Sequence, residues 1–170
     1  GSGFQDIYHF GADINGYTPT SVILSGTTLY GMTHDGGLYN AGIIFKMNTS
    51  GTGFQKLYDF DETNGAVPYG ALTLSGSTLY GTTATGGSNS VGTIFKMNTD
   101  GSGFQKLVDF DGTNKGSYPA GTLTLLGSSL YGTTLRGGTS NLGAIFKINI
   151  DGTGFQKLLD FDGANKGANP

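Results

Sequence analysis

Hydrophobic positions recur along the chain with a fixed period. Three short motifs return in the same order every 50 or 51 residues. They are Gly-Phe-Gln at Phe4, Phe54, Phe104 and Phe155, Leu-Tyr-Gly at Tyr30, Tyr80 and Tyr131, and Ile-Phe-Lys at Phe45, Phe95 and Phe146. Because three series in step exclude coincidence, the pattern indicates tandem structural repeats.

Each unit contains short runs of β-branched and aromatic residues bounded by Gly, Asn, Asp or Pro, which is typical of strands joined by hairpins. For the second unit the runs predict four strands, at Ala71–Leu74, Thr78–Thr83, Gly92–Asn98 and Phe104–Phe110. One proline follows at a fixed place in each unit, where we expect the passage to the next unit and no need for a ladder hydrogen bond. These prolines are Pro19, Pro68, Pro119 and Pro170.

The last predicted strand of a unit carries apolar side chains on both faces. Strict alternation places Phe104, Val108 and Phe110 on one face and Leu107 on the other. A sheet that is apolar on both faces is expected between two neighbouring sheets. Four-stranded sheets stacked by radial repetition form a propeller. We therefore predict an all-β, β-propeller-type array of four-stranded antiparallel blades with a repeat of about 50 residues, with another stacked β architecture as the alternative.

The predicted array is a single repeat domain spanning residues 1–170. Its parts are an outer strand of a preceding blade at 1–10, blades at about 19–61, 68–111 and 119–162, and the start of a further unit at 163–170. Three blades cannot close a ring of the usual four to eight. We therefore expect either a longer protein of six to eight blades or assembly with copies of the chain.

Composition and charge narrow the classes of partner. Lys and Arg total 9 against 12 Asp and Glu and form no basic run, so nucleic acid is not expected as a partner. No apolar stretch reaches the roughly 18 residues of a membrane helix, so membrane insertion is not expected. The lack of Cys excludes disulfides, thiol nucleophiles and Cys-based zinc sites.

The motifs of the second unit resemble those of a known family. The residues that carry the resemblance are Leu79–Thr83, Gly86-Gly87, Gly92–Lys96, Asp100-Gly101, Phe104 and Phe110. This string is similar to the Gloeo_Verruco repeat family, and the match covers the whole chain, although the first unit has Met32 where the others have Thr. The resemblance implies a propeller in an extracellular or cell-surface bacterial protein, with no established general activity.

One set of polar residues recurs at the end of each unit. It consists of Asp59, Asp61 and Asn64, then Asp109, Asp111 and Asn114, then Asp160, Asp162 and Asn165, with His9, Gly11 and Asn15 at the first occurrence. Carboxylate and amide oxygens suit Ca²⁺. The favoured interpretation is that these side chains cap turns by accepting nearby backbone N–H groups. No metal or other cofactor is predicted.

Other candidate positions lie where the units differ or where tyrosine repeats. His34 and Asp35 are particular to the first unit, as is Tyr39, and we expect them to form surface or binding-loop contacts. As neighbours on a strand, His34 and Asp35 are predicted to point in opposite directions. The repeated tyrosines are Tyr30, Tyr80 and Tyr131, and core packing is the favoured role over stacking on sugars.

No catalytic residue is predicted, and the chain is not expected to be an enzyme. The leading functional hypothesis is a non-catalytic structural scaffold or protein-interaction module of the bacterial surface that associates with itself or with further blades. One alternative is a lectin with one shallow site per blade, built from the Gly-Gly loops and tyrosines. A second is an enzyme whose site lies in blades outside these 170 residues.

Overall fold

A computed structural model describes residues 3–11 and 14–170. This part of the chain contains thirteen strands, no helix, and three antiparallel sheets. Sheet 1 consists of β1 (Tyr17–Ser25), β2 (Thr28–Asp35), β3 (Ile43–Asn48) and β4 (Gln55–Asp59). Sheet 2 consists of β5 (Ala66–Pro68), β6 (Thr73–Ser75), β7 (Thr78–Thr85), β8 (Thr93–Asn98) and β9 (Gln105–Asp109). Sheet 3 consists of β10 (Thr124–Leu126), β11 (Ser129–Thr134), β12 (Ala144–Asn149) and β13 (Gln156–Asp160).

Consecutive strands pair in sheets 1 and 3, and so do β6 to β9 of sheet 2, so every unit contains a four-stranded antiparallel meander. The four strands predicted for the second unit correspond to β6, β7, β8 and β9, with no end shifted by more than two residues. Strand β5 was not predicted. It pairs with β7 beside β6, so the first edge of sheet 2 is split into two short strands and the sheet counts five.

The prolines of the first two sheets lie inside strands rather than between units. Pro19 belongs to β1 opposite Thr33, and Pro68 belongs to β5 opposite Thr83. The prediction that they mark an unpaired passage is therefore wrong in detail. Proline is tolerated here because β1 and β5 are edge strands, whose outer side needs no ladder donor.

The residue before each proline links one sheet to the next. Thr18, Val67, Tyr118 and Asn169 all have left-handed backbones, with φ between 50° and 57°. The N–H groups of Val67, Tyr118 and Asn169 donate to the carbonyls of Ala41, Val91 and Leu142, at 3.0, 2.9 and 2.8 Å respectively. Because a left-handed conformation is costly for residues other than Gly, the surrounding contacts must hold it in place. The residues before Pro68, Pro119 and Pro170 therefore each tie the chain to the preceding unit through a backbone hydrogen bond.

A β-bulge changes which face the last strand presents. Ile94 pairs with Val108 and Phe95 with Lys106, so Leu107 is the extra residue of the bulge. Phe104 consequently packs in the cluster between sheets 1 and 2, whereas Val108 and Phe110 pack between sheets 2 and 3. The prediction that these three share a face is wrong, because the bulge reverses the alternation. The conclusion that both faces are apolar is confirmed.

The core lies between the sheets. At the junction of sheets 1 and 2, Phe60 from sheet 1 meets Phe95 and Phe104 from sheet 2, with ring centroids 5.3 and 6.2 Å away. Phe60 and Phe95 are completely buried. Phe110, Phe146 and Phe155 repeat this triad between sheets 2 and 3. The repeated phenylalanines of the sequence are therefore the contact between neighbouring sheets.

Gly81 shows why two of the sequence motifs keep a fixed spacing. It pairs with Phe95 across β7 and β8, and a Cβ atom at position 81 would lie 2.5 Å from the Cζ atom of that ring. The Gly of Leu-Tyr-Gly thus leaves space for the Phe of Ile-Phe-Lys. Gly31 and Gly132 lie under Phe45 and Phe146 in the same way.

Residues 4–10 lie where the preceding unit would place its last strand. They make no strand pairing, but the ring of Tyr8 stacks on Phe54 at 4.7 Å and Phe10 meets Phe45 edge-on at 5.1 Å. These contacts match those of Tyr58 and Phe60 with sheet 2. Residues 1 and 2 of the predicted first strand lie outside the described residues.

Candidate functional sites

The first Asp of each recurring set is held by a lysine of its own strand. Lys56 and Asp59, Lys106 and Asp109, and Lys157 and Asp160 form ion pairs at 2.8, 2.9 and 2.8 Å. The Asp109 carboxylate also accepts the backbone N–H of Ser88, in the Gly-Gly loop, at 2.9 Å. Burial alone would raise the pKa of Asp109, but the Ser88 and Lys106 hydrogen bonds outweigh it and the pKa lies below its ordinary value. These carboxylates fix the loop to the strand.

The second Asp of each set caps the turn that follows. Asp61 accepts the N–H of Asn64 at 2.8 Å, and Asp111 accepts the N–H groups of Thr113 and Lys115 at 3.0 and 2.8 Å. Asp162 makes the same kind of contact with three successive N–H groups. The turn-capping interpretation is confirmed. Among the described residues, no group of three or more His, Asp or Glu side chains could hold a metal ion.

The repeated tyrosines are mainly core residues. Tyr30 and Tyr80 are buried against the next sheet, as the favoured packing interpretation predicted. Burial raises the pKa of Tyr80. Tyr131 occupies the same position in sheet 3 and is half-buried. Because a sugar needs an exposed ring face, Tyr30 and Tyr80 cannot serve as platforms for a lectin site in each sheet.

His34 and Asp35 lie together at the end of β2. The Nδ1 atom of His34 is 2.9 Å from Oδ1 of Asp35, so the prediction that they point in opposite directions is wrong. Asp35 is the last residue of the strand and is followed by the left-handed Gly36, so the alternation of the strand ends there. The contact is not aligned as a hydrogen bond, and the buried Nδ1 atom makes none with any described group.

A cavity of about 390 Å³ opens beside this pair, at the junction of sheets 1 and 2. Its lining residues are Thr18, Pro19, Thr20, His34, Asp35 and Tyr69. The ring of Tyr69, which follows β5, meets the imidazole of His34 edge-on at 5.9 Å. Tyr69 did not stand out in the sequence. The one signal for it was an aromatic where the other units have Thr20 and Ala120.

The two outer faces of the three-sheet stack are incompletely covered. We use "front face" for the side of sheet 1 carrying Val22 and Leu24, whose side chains are 51% and 61% exposed. The positions equivalent to Val22 are Leu72 and Leu123, which are 3% and 2% exposed because a preceding sheet covers them.

We use "back face" for the opposite side, on sheet 3, which carries Tyr131, Ile145 and Phe161. These side chains are half-buried. Their counterparts in sheets 1 and 2 are buried beneath a following sheet; they are Tyr30 and Tyr80, Ile44 and Ile94, and Phe60 and Phe110. The apolar side chains that the two faces expose therefore lie at positions that a neighbouring sheet buries elsewhere in the molecule.

Tandem antiparallel sheets with a repeated aromatic contact define an all-β repeat protein. The family model of the Gloeobacter/Verrucomicrobia repeat, Gleo_Verruco, matches residues 1–170. The chain belongs to this family, as the resemblance predicted. A search of curated proteins finds no match.

Several solved structures share the fold. A chain of a nidogen/laminin complex aligns with a TM-score of 0.57 at 19% identity, over 84% of this chain and 46% of that one. TolB from Acinetobacter baumannii aligns with 0.53 at 14% identity, over 79% and 30%. The GH74 enzyme of Niastella koreensis aligns with 0.51 at 18% identity, over 89% and 22%. These neighbours have propeller-like folds, and this chain spans less than half the length of each.

No helix in residues 3–11 and 14–170 is long and apolar enough to cross a membrane.

Proposed function

We propose that the chain is a non-catalytic module of a β-propeller-type array that acts as a scaffold and protein-interaction surface, on or outside a bacterial cell. The observation that carries the proposal is the match between the front and back faces of the stack. The family membership supports the bacterial surface location, and the shared fold supports the propeller geometry.

The two faces are the two halves of a junction that the molecule already builds twice. Between sheets 1 and 2, Tyr30 and Phe60 of one sheet meet Leu72 and Phe95 of the next. On the back face, Tyr131 and Phe161 are equivalent to Tyr30 and Phe60. On the front face, Val22 is equivalent to Leu72. A further sheet of the same kind, from the same protein or from a second copy, therefore fits the back face. On the front face residues 4–10 already occupy the place of its last strand, so the surface left open there fits the first strands of such a sheet.

Burial supplies the driving force for this stacking. Covering a Val, Leu, Ile or Phe side chain completely contributes about 1.5–3 kcal/mol. Val22 and Leu24 are more than half exposed, and the back face adds three partly exposed apolar side chains. Exposed apolar surface of this kind, beside sheets that stack elsewhere in the molecule, is typical of an interaction site.

The polar residues support a structural role. The recurring Asp side chains are engaged by lysines and backbone N–H groups that hold loops and turns. A general acid or base needs a group within reach of a reacting atom and free to exchange a proton with it. Carboxylates that a lysine of the same strand holds in every sheet fit a scaffold better than a catalytic site.

The test is the mass of the protein in solution, measured by light scattering over a range of concentrations. We expect multiples of 17.6 kDa that increase with concentration. Leu24→Lys should shift the protein toward the monomer, because it places a charge in the contact. Leu38→Lys is the matched control, since Leu38 is 65% exposed in the β2–β3 loop and lies outside both faces. A stably folded 17.6 kDa monomer at every concentration would overturn the proposal.

A further inference from the structure

The cavity between sheets 1 and 2 combines residues that the other units lack. At the positions of His34 and Asp35, sheet 2 has Ala84 and Thr85. At the position of Tyr69, sheet 3 has Ala120. The corresponding place between sheets 2 and 3 therefore lacks the acid–imidazole pair, and it has Ala120 where this cavity has the Tyr69 ring. The cavity interrupts an otherwise repetitive surface, and repetition of the fold does not account for its side chains.

The polar groups of the cavity are arranged around an accessible aromatic face. The Tyr69 side chain is 59% exposed. Within the part of the chain that the structure describes, neither the Tyr69 hydroxyl nor the Thr18 hydroxyl makes a hydrogen bond. The carboxylate of Asp35 accepts none either, and its side chain is 29% exposed beside His34. The carboxylate of Asp35 and the two hydroxyls are thus available to a ligand next to an apolar ring. The His34 side chain is 30% exposed and can offer only its Nε2 atom, because its Nδ1 atom is buried.

We propose that this cavity is a binding site for one neutral saccharide, with Tyr69 as the platform for the apolar face of the sugar ring and Asp35 and His34 as partners for its hydroxyls. A carboxylate accepts and an imidazole N–H donates, which together suit two neighbouring hydroxyl groups of a sugar. Thr18 adds a hydroxyl that both donates and accepts. The volume of about 390 Å³ lies within the roughly 300–1,000 Å³ of small-molecule sites.

Other ligand classes fit the lining less well. An anion would meet the Asp35 carboxylate, and the lining contains no Lys or Arg to neutralise it. A quaternary ammonium prefers several aromatic faces around the cation, whereas this cavity has a single Tyr ring and a carboxylate already in contact with His34. An entirely apolar ligand would leave the polar atoms of Asp35 and Thr18 without partners.

The site is independent of the stacking of the end faces, because its residues lie at the internal junction of sheets 1 and 2. Failure of either proposal therefore leaves the other standing. Its substitutions are also mild, since the equivalent positions supply tolerated replacements: alanine for Tyr69, alanine for His34 and threonine for Asp35. Tyr39→Ala is the matched control, because Tyr39 is 58% exposed in the β2–β3 loop and lies outside the cavity.

The experiment is saturation-transfer NMR on the full chain with methyl glycosides of glucose, galactose, mannose and N-acetylglucosamine, each at about 10 mM, which detects dissociation constants of roughly 1 mM. We expect at least one glycoside to bind saturably, with one site per chain. Tyr69→Ala should weaken that binding at least about tenfold, and Asp35→Thr should weaken it several-fold. Tyr39→Ala should leave it unchanged.

Two outcomes would overturn the proposal. One is the absence of saturable binding by all four glycosides to the folded wild-type protein. The other is binding that survives Tyr69→Ala, or that Tyr39→Ala weakens to the same extent. Thermal unfolding of each variant accompanies the titration, so that a loss of binding is assigned only to a protein whose melting temperature matches the wild type.

Discussion

The junction between sheets 1 and 2 and the contact between residues 4–10 and sheet 1 use the same aromatic triad. Phe60, Phe95 and Phe104 form it in the first, with Phe60 and Phe95 at 5.3 Å. Phe10, Phe45 and Phe54 form it in the second, with Phe10 and Phe45 at 5.1 Å. The rest of the two interfaces differs. Phe60 belongs to a complete sheet, whereas Phe10 belongs to a short segment without strand pairing.

This difference divides each junction between sheets into two parts: an aromatic half, formed by the phenylalanine triad, and a second half near the first strands of each sheet. The aromatic half holds even a single segment without strand pairing, as residues 4–10 show. The half near the first strands of each sheet needs a complete neighbouring sheet, since Leu72 is 3% exposed and its counterpart Val22 is 51% exposed. Substitutions in the two halves should therefore behave differently.

The largest effect is expected in the aromatic half. Phe95→Ala removes a fully buried ring that contacts Phe60 and Phe104, and we expect it to lower the free energy of unfolding by about 3–5 kcal/mol. Denaturant titration measures the loss. Phe45→Ala should cost less, because its partner Phe10 is half-exposed. Equal losses in unfolding free energy for Phe95→Ala and Phe45→Ala would mean that residues 4–10 stabilise sheet 1 as much as a complete neighbouring sheet does.

In the half near the first strands, two equivalent positions allow a direct comparison. Leu72→Ala should lower the free energy of unfolding by about 2–5 kcal/mol, because the side chain is buried between two sheets. Val22→Ala, at the equivalent position of the front face, should change it by less than about 0.5 kcal/mol at low protein concentration. Chemical denaturation of both variants at matched dilute concentration is the measurement. A large loss in unfolding free energy for Val22→Ala would mean that the front face is covered even in dilute protein.

Close packing beneath the triad is tested by Gly81→Ala. The added Cβ would meet the Phe95 ring at 2.5 Å, and overpacking of this kind costs about 1–3 kcal/mol. Phe95→Leu replaces the ring by a smaller side chain, so in the double variant it should relieve part of the clash with the added Cβ. A double-mutant cycle of unfolding free energies measures this coupling. If the losses in unfolding free energy of Gly81→Ala and Phe95→Leu simply add in the double variant, contact with Phe95 is not the reason that position 81 requires Gly.

The smallest expected effect is the response to acid. Because hydrogen bonds and Lys106 hold the pKa of Asp109 below its ordinary value, the unfolded state binds the proton more readily than the folded state. Its contribution is present above the ordinary Asp pKa and is lost as the pH falls through the lower folded value. The free energy of unfolding should therefore fall below about pH 4, and less steeply in Asp109→Asn. A slope unchanged by that substitution would exclude Asp109 as a source of the acid response.

The repeat and most of its strands were predictable because the residues that build each junction recur in step. Phe95 and Gly81 keep their spacing since one covers the other. The bulge at Leu107 was not predictable, because a single extra residue leaves no mark in a strand of mixed apolar residues. Strand β5 is not predictable for a related reason, because a proline fits both an unpaired passage between units and an edge strand, and Pro68 belongs to an edge strand.

The candidate sites divide in the same way. Turn capping by Asp61 followed from local chemistry, because the carboxylate and its N–H partner at Asn64 are three residues apart. The cavity did not follow, because it joins the end of β2 to Tyr69 across two units. His34 drew attention as a departure from the repeat, but only the three-dimensional structure brings Tyr69 beside it.

The backbone tie before each proline gives the stack a direction. The donor is always the later unit and the acceptor the earlier one, as in the bond from Val67 to Ala41. Thr18 has the same left-handed conformation at the start of sheet 1. Copies joined through such a contact must meet head to tail, so a two-fold symmetric dimer cannot use it. The resulting assembly closes into a ring when the rotation per sheet permits, and otherwise grows as an open filament.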